Sequence, residues 1–323
     1  MRKRLRELLE ISPARYAQVT LVALIALSLI VLTGAAVRLT DSGLGCPDWP
    51  KCYGQTVPPL ESHAVIEYGN RVLTGFVGIA VIAASVLAFY RQPYRWHLAV
   101  FGALLPLGVI AQAILGALVV EDHLAPGLVM LHFIVSMMLL DAAFALAWCS
   151  RYEPCERRRS TDRLGVWAVR GLIPLGQLTI AAGTVATGSG PHAGAHAGQI
   201  VHRFTFEGAQ TLEWVVQRHA AIAALFGLAA IAVWFLLRRA GGDRRALRPL
   251  TVVIGLLALQ GIVGGVQWYS KLPTELVWVH VALATFTWLA MLWTVATAGR
   301  LEPHAARAIS AGEPAAGELS VQA

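Results

Sequence analysis

The 323-residue chain is 56% hydrophobic and 14% charged, with a mean hydropathy of +0.60, well above an ordinary soluble domain, which excludes a cytoplasmic globular enzyme. Its formal net charge of +7 lies between apolar stretches rather than on one clustered face, which excludes a nucleic-acid-binding surface. The apolar residues gather into stretches of about 20 residues, each long enough to cross about 30 Å of hydrocarbon as a helix.

Eight such spans are predicted, at roughly 17–38, 64–90, 98–120, 127–148, 166–187, 211–237, 249–269 and 276–298. The basic start (Arg2, Lys3, Arg4, Arg6) leads into a full-length span rather than a short signal core, so the first span is expected to stay. Eight spans place both termini on one side, and 20 of the 26 Lys and Arg fall in the segments of that side. This predicts a multi-pass cell-membrane protein with both termini cytoplasmic. The fold class is all-α, a polytopic membrane protein. Its predicted parts are a cytoplasmic N-terminal segment (1–16), an N-terminal four-helix bundle (17–148), a cytoplasmic linker (149–165), a C-terminal four-helix bundle (166–298) and a disordered cytoplasmic tail (299–323).

The loop after span 1 reads Gly-Leu-Gly-Cys-Pro-Asp-Trp-Pro-Lys-Cys from Gly43 to Cys52. On the oxidising side Cys46 and Cys52 can close a small disulfide loop or act as a redox-active thiol pair. Cys149 and Cys155, on the cytoplasmic side, are expected to be reduced thiols. Span 2 opens with Glu67-Tyr68-Gly69-Asn70-Arg71. Glu67, Asn70 and Arg71 at i, i+3 and i+4 share a helix face and can converge on one cavity, which His63 can reach from above, although a loop histidine is more commonly solvated. Arg71 is read either as the partner of Glu67 or as a contact for a haem propionate, a role open to Arg218 as well.

An internal repeat runs through the chain. Gln112 and Gly116 of span 3 recur as Gln260 and Gly264 of span 7, and His132 of span 4 recurs as His280 of span 8, all 148 residues apart. An offset of 149 sets Gly34 on Gly183 and Asn70 on His219. Four spans per half give both halves one orientation, so two parallel-repeat bundles are expected. Gly261 and Gly265 form a small-xxx-small pair that reads as ordinary close helix packing. The loop between spans 5 and 6 contains His192, His196 and His202, a spacing that suits a metal only if the loop is helical, and Gly194 and Gly198 argue against that.

Ionisable side chains at membrane depth cost about 2.5–3.5 kcal/mol on insertion scales, so those that persist usually face a protein interior and serve a function. His132, His219 and His280 share a layer roughly 6–12 Å below the outer boundary. Imidazoles on facing helices inside an apolar bundle are suited to axial ligation of haem iron; helix capping or a solvated vestibule is the plainer alternative. The predicted metal ligands are therefore His219 and His280 as a pair and His132 opposite Asn70, which ligates iron poorly and leaves one iron face open or water-bound.

Together the cysteine loop, the Glu67–Arg71 segment and the histidines of spans 4, 6 and 8 resemble the haem A synthase family over nearly the whole chain up to about residue 298. The resemblance implies oxidation of the C8 methyl of haem O to a formyl group, giving the haem A of terminal oxidases. It implies haem b as cofactor on His219 and His280, haem O as substrate in the N-terminal bundle with His132, and Glu67 in catalysis. Many members have His where this sequence has Asn70, and some carry a second cysteine pair, between spans 5 and 6, that is lacking here. No flavin, nicotinamide or iron–sulfur motif is present, so electron partners are external. The expected partners are haem O, the haem O synthase (a farnesyltransferase) that makes it, an electron acceptor, the lipid bilayer and, as a possibility, a second copy of the chain. A dihaem cytochrome b that only transfers electrons is the rival reading; a proton-coupled transporter, the third, gives no reason for ligand-like pairing.

Overall fold

A computed structural model of the chain describes residues 10–153, 159–196, 198–239 and 244–301. Among them are eight long helices, each long and apolar enough to cross a membrane, and no strand. They are α1 (Pro13–Leu39), α2 (Ser62–Tyr90), α3 (Trp96–Glu121), α4 (Pro126–Ser150), α5 (Arg163–Ser189), α6 (Thr211–Arg239), α7 (Leu247–Tyr269) and α8 (Thr274–Ala298). The predicted spans lie inside these helices, which run up to four residues further at their ends. Cys155 and most of the predicted tail lie outside the described residues.

Local signals start and stop these helices. Ser12 caps α1, its hydroxyl accepting from Arg15 N at 3.4 Å ahead of Pro13, and the Asp162 carboxylate caps α5 by accepting from Gly165 N at 2.8 Å. The α1, α3 and α7 ends close alike: Ser42 N, Leu124 N and Leu272 N reach back five residues to Val37, Val119 and Gln267 carbonyls at 3.0, 2.8 and 2.8 Å. The chain turns there through left-handed residues: Asp41, the pair His123–Leu124 and the pair Lys271–Leu272. The last two pairs are again 148 residues apart, so the repeat extends into a turn whose sequences differ.

Helix α1 packs on α2 and α4, α2 on α3, and α3 on α4; α5 packs on α6 and α8, α6 on α7, and α7 on α8. Between these two sets the contacts run from α1 to α8 and from α4 to α5 and α8. The faces turned inward carry small or branched residues at helical spacing, such as Val77, Val81, Ala84 and Ala88 of α2. The opposite faces expose Leu, Ile and Val, as lipid-facing surfaces do. Two tryptophans tie the sets together: Trp278 Nε1 donates to Leu32 O at 3.0 Å, and Trp288 Nε1 donates to Asp141 Oδ1 at 2.6 Å. A Cβ on Gly261 or Gly265 would meet nothing within 4 Å, so this small-residue pair, expected to mark close packing, makes no close helix contact among the described residues.

Candidate functional site

The residues predicted to carry chemistry fall into a paired-imidazole site on α6 and α8 and a carboxylate site under the loop after α1. His219 and His280 come from helices that do not pack on each other, yet their rings face one another across the intervening space, 6.3 Å between centroids and 63° between planes. A metal–imidazole nitrogen bond is about 2.0–2.1 Å and a ring centre lies about 1.1 Å beyond its nitrogen, so imidazoles on opposite sides of one metal sit about 6.3 Å apart. The separation fits a shared iron. The His280 ring has a buried Nδ1 without a hydrogen-bond partner, which apolar surroundings tolerate poorly. Both rings press on glycine: a Cβ on Gly183 would lie 3.1 Å from His219 Cε1, and one on Gly264 would lie 3.2 Å from His280 Cε1. Among the described residues no group of three or more His, Cys, Asp or Glu is placed to hold a metal ion. Two imidazoles suit a metal whose remaining positions are filled by other ligands, and haem, whose macrocycle brings four nitrogens of its own, meets that condition.

His132 repeats the pattern in the first set. It is half-buried, its Nδ1 lacks a partner, and a Cβ on Gly116 of α3 would lie 3.7 Å from its Cε1. Gln112 Nε2 donates to the His132 carbonyl at 3.0 Å and to the Ser136 hydroxyl, fixing this stretch of α4 against α3. Asn70, at the position equivalent to His219, accepts on Oδ1 from the Thr33 hydroxyl of α1 at 2.8 Å.

Glu67 is 6% exposed. Its Oε2 accepts from Cys46 N at 2.7 Å, and its Oε1 pairs with Arg71 at 2.5 Å. Arg71 also donates to the carbonyls of Asp48 and Lys51, at 2.9 and 2.8 Å. The ion-pair reading of Arg71 is thus seen, with the loop as its further partner. Cys46 and Cys52 form a disulfide, and the Asp48 carboxylate accepts from Tyr53 N and Gly54 N at 2.6 and 2.8 Å, so the loop is closed on itself. It lies so close on α2 that a Cβ on Gly45 would be 2.2 Å from the His63 carbonyl oxygen, a position only glycine can take.

His63 does not descend toward Glu67. Its Nδ1 shares a hydrogen bond with Ser42 Oγ at 3.0 Å, and its ring stacks on His196 at 5.3 Å. His192 Nε2 instead contacts Leu272 O at 2.6 Å, and His202 joins neither ring. The loop after α5 is thus a strap over both sets of helices, with Gly43 N donating to Gly194 O at 2.7 Å. Arg38 and Arg203 converge there on the Thr187 carbonyl, at 3.3 and 2.5 Å; burial lowers the pKa of Arg203. Arg218 is exposed and lies over the Trp214 ring, 3.5 Å from its centroid.

Several contacts escape sequence reasoning. Asp141 lies outside the 148-residue repeat pattern, and Thr33, Arg38 and Arg203 act through carbonyls or an amide that no spacing announces.

The chain matches the family model of the cytochrome oxidase assembly proteins COX15-CtaA over residues 17–65 and 61–202. It is 34% identical to the haem A synthase of an Exiguobacterium species over 112 residues, 34% of this chain and 37% of that protein. It is 33% identical to the haem A synthase of Lysinibacillus sphaericus over 127 residues, 39% of this chain and 41% of that protein. A longer match, 27% identical over 284 residues, covers 84% of this chain and 46% of the protoheme IX farnesyltransferase of Thermus thermophilus. In each case the match spans less than half the length of the relative.

Proposed function

The chain belongs to the COX15-CtaA family of cytochrome oxidase assembly proteins, and from that premise we propose that it is a haem A synthase of the cell membrane, oxidising the C8 methyl of haem O to a formyl group. The observation that carries this reading is the inequality of the two sites. One has two imidazoles at the separation of a shared metal; the other has one imidazole and, in the same helix set, a buried carboxylate tied to an outer loop. A dihaem electron carrier gains nothing from leaving one ligand pair incomplete beside a buried carboxylate, whereas an enzyme needs an open site and an acceptor of protons beside its substrate.

In this reading each set of four helices is one bundle of a duplicated protein. His219 and His280 hold haem b, which supplies one-electron transfer when bound. His132 holds the iron of haem O. Conversion of methyl to aldehyde with water as oxygen source releases four electrons and four protons, through an alcohol, so an external electron acceptor is required. Glu67 accepts a proton from the attacking water or the reacting carbon, and its charge stabilises the cation that develops there. Arg71 holds Glu67 and the loop in register, and the disulfide loop excludes bulk water from that end. Arg218 contacts a propionate of the C-terminal haem from its place over Trp214. Haem O synthase is the supplier of substrate. The bias of Lys and Arg puts both termini in the cytoplasm.

The test is extraction of haems from cells that make haem O, with and without this chain, analysed by chromatography and mass spectrometry. Haem A is expected only with the chain; unchanged haem O with no haem A refutes the proposal.

A further inference from the structure

We infer that the N-terminal half holds its haem through one protein ligand, His132, and that Asn70 presents an amide N–H to a small hydrogen-bond-accepting ligand on the opposite face of the iron. This rests on the reading that haem O binds in that half. Neither α2 and α4 nor α6 and α8 pack on each other, and both pairs belong to sets joined by the same sequence of neighbours. The offsets of 149 and 148 align Asn70 and His132 in sequence with His219 and His280, whose rings lie 6.3 Å apart.

Three observations set the role of Asn70. First, Thr33 donates its hydroxyl proton to Asn70 Oδ1 at 2.8 Å. That engages the amide oxygen, a hard donor that haem iron takes poorly in any case, and leaves the NH2 group pointing elsewhere with no acceptor among the described residues. Second, the space that an imidazole fills in one half is open in the other. A Cβ on Gly183 would crowd His219 at 3.1 Å, while one on Gly34, its counterpart beside Thr33, would meet nothing within 4 Å. Third, no neighbour on α2 replaces the missing imidazole. His63 is held by Ser42 and His196, Glu67 by Cys46 N and Arg71, and the Tyr68 hydroxyl by the Thr56 carbonyl at 2.5 Å. An iron with one protein ligand accepts an exogenous one, and an amide N–H beside that position stabilises a bound ligand with a lone pair, such as water or a diatomic gas.

Carbon monoxide is the probe, because a ferrous iron with two imidazoles excludes it. The chain is purified from cells that make haem O, its haem content per chain is fixed by extraction, and the reduced protein is titrated with the gas. One carbon monoxide per chain is expected. Asn70→Ala should keep binding but weaken it about two- to tenfold, the worth of one hydrogen bond, and raise the C–O stretching frequency, a shift that a purely structural role would not produce. Asn70→His should convert this iron to a low-spin form and weaken binding at least tenfold. Two haems per chain with no carbon monoxide bound, or an unaltered C–O stretch in Asn70→Ala, overturns the inference while leaving the haem O reading intact. A chain that carries haem only between His219 and His280 overturns both.

Discussion

Gly183→Ala adds one carbon opposite the His219 imidazole, and its effect can be worked from the contact it would make. The new Cβ would sit 3.1 Å from His219 Cε1, whereas carbon atoms in unstrained contact stay about 3.5–4.0 Å apart, so the ring must yield by about 0.4–0.9 Å. Metal sites tolerate displacements of about 0.2 Å in ligand distance, and losing the support behind a ligating imidazole typically lowers affinity 10- to 100-fold, or about 1.4–2.8 kcal/mol. Alanine is a better helix former than glycine by up to about 1 kcal/mol, so the helix itself is not weakened. Gly264→Ala, with a 3.2 Å contact on His280, should act in the same way. Gly265→Ala, one residue further along α7 in open space, is the control. The assay is haem retained per chain after purification, together with the low-spin absorption and electron paramagnetic resonance signals of the paired-imidazole site. Loss of haem is expected in Gly183→Ala and Gly264→Ala with the melting temperature of the protein portion unchanged, and full retention in Gly265→Ala. An undiminished low-spin signal in Gly183→Ala, or equal loss in Gly265→Ala, would refute the claim that these glycines exist to seat the imidazoles.

Glu67→Gln removes the proton acceptor but leaves Arg71 its two loop carbonyls, so haem should still bind while conversion of haem O falls by about 10²–10⁴-fold, measured as haem A formed per retained haem. Thiol alkylation of unreduced membranes should leave Cys46 and Cys52 unlabelled and modify them only after reduction, read by peptide mass; labelling before reduction contradicts the disulfide. Asp141→Leu strands the Trp288 indole N–H and should cost about 1–3 kcal/mol of stability, whereas Asp141→Asn keeps an acceptor and should melt within a degree or two of the parent; equal melting of all three proteins would show that this bond between α4 and α8 is inconsequential.

How far the chain could be read without coordinates follows from what kind of force places each residue. The bilayer demands about 20 apolar residues per crossing, so α3 and α7 were legible to within two residues at each end. The histidines were legible because a costly side chain at membrane depth, repeated at a fixed offset, has few explanations. The identical turn closures at Leu124 and Leu272 were not, since His123-Leu124 and Lys271-Leu272 share only a leucine and neither pair is a usual left-handed residue. Nor was the strap after α5. Its contacts run through backbone carbonyls of Thr187, His192 and Gly194, groups that every residue possesses and that no composition reveals. His63, one turn above Glu67, is within reach of the carboxylate cavity by spacing alone, yet it pairs with the Ser42 hydroxyl and the His196 ring, partners from loops remote in sequence that its spacing does not announce.

The unequal halves make physical sense if one haem stays and the other passes through. A resident cofactor gains from two strong axial bonds and from glycines that seat both rings, since each fixed ligand slows its escape. A substrate held in that way would leave no faster than a cofactor, and its product would be trapped. In the proposed reading three histidines rest against Gly116, Gly183 and Gly264, while Gly34, at the fourth corresponding position, faces open space. On that reading, His at three of these positions and Asn at the fourth would weaken the hold on one haem without disturbing the helices around it. Returning the fourth imidazole, as in Asn70→His, should therefore tighten haem O and haem A alike and slow release of the product, which a chase of retained haem A against added haem O would detect. Release at the parent rate, with the new ligand seen spectroscopically on iron, would show that exchange is limited elsewhere.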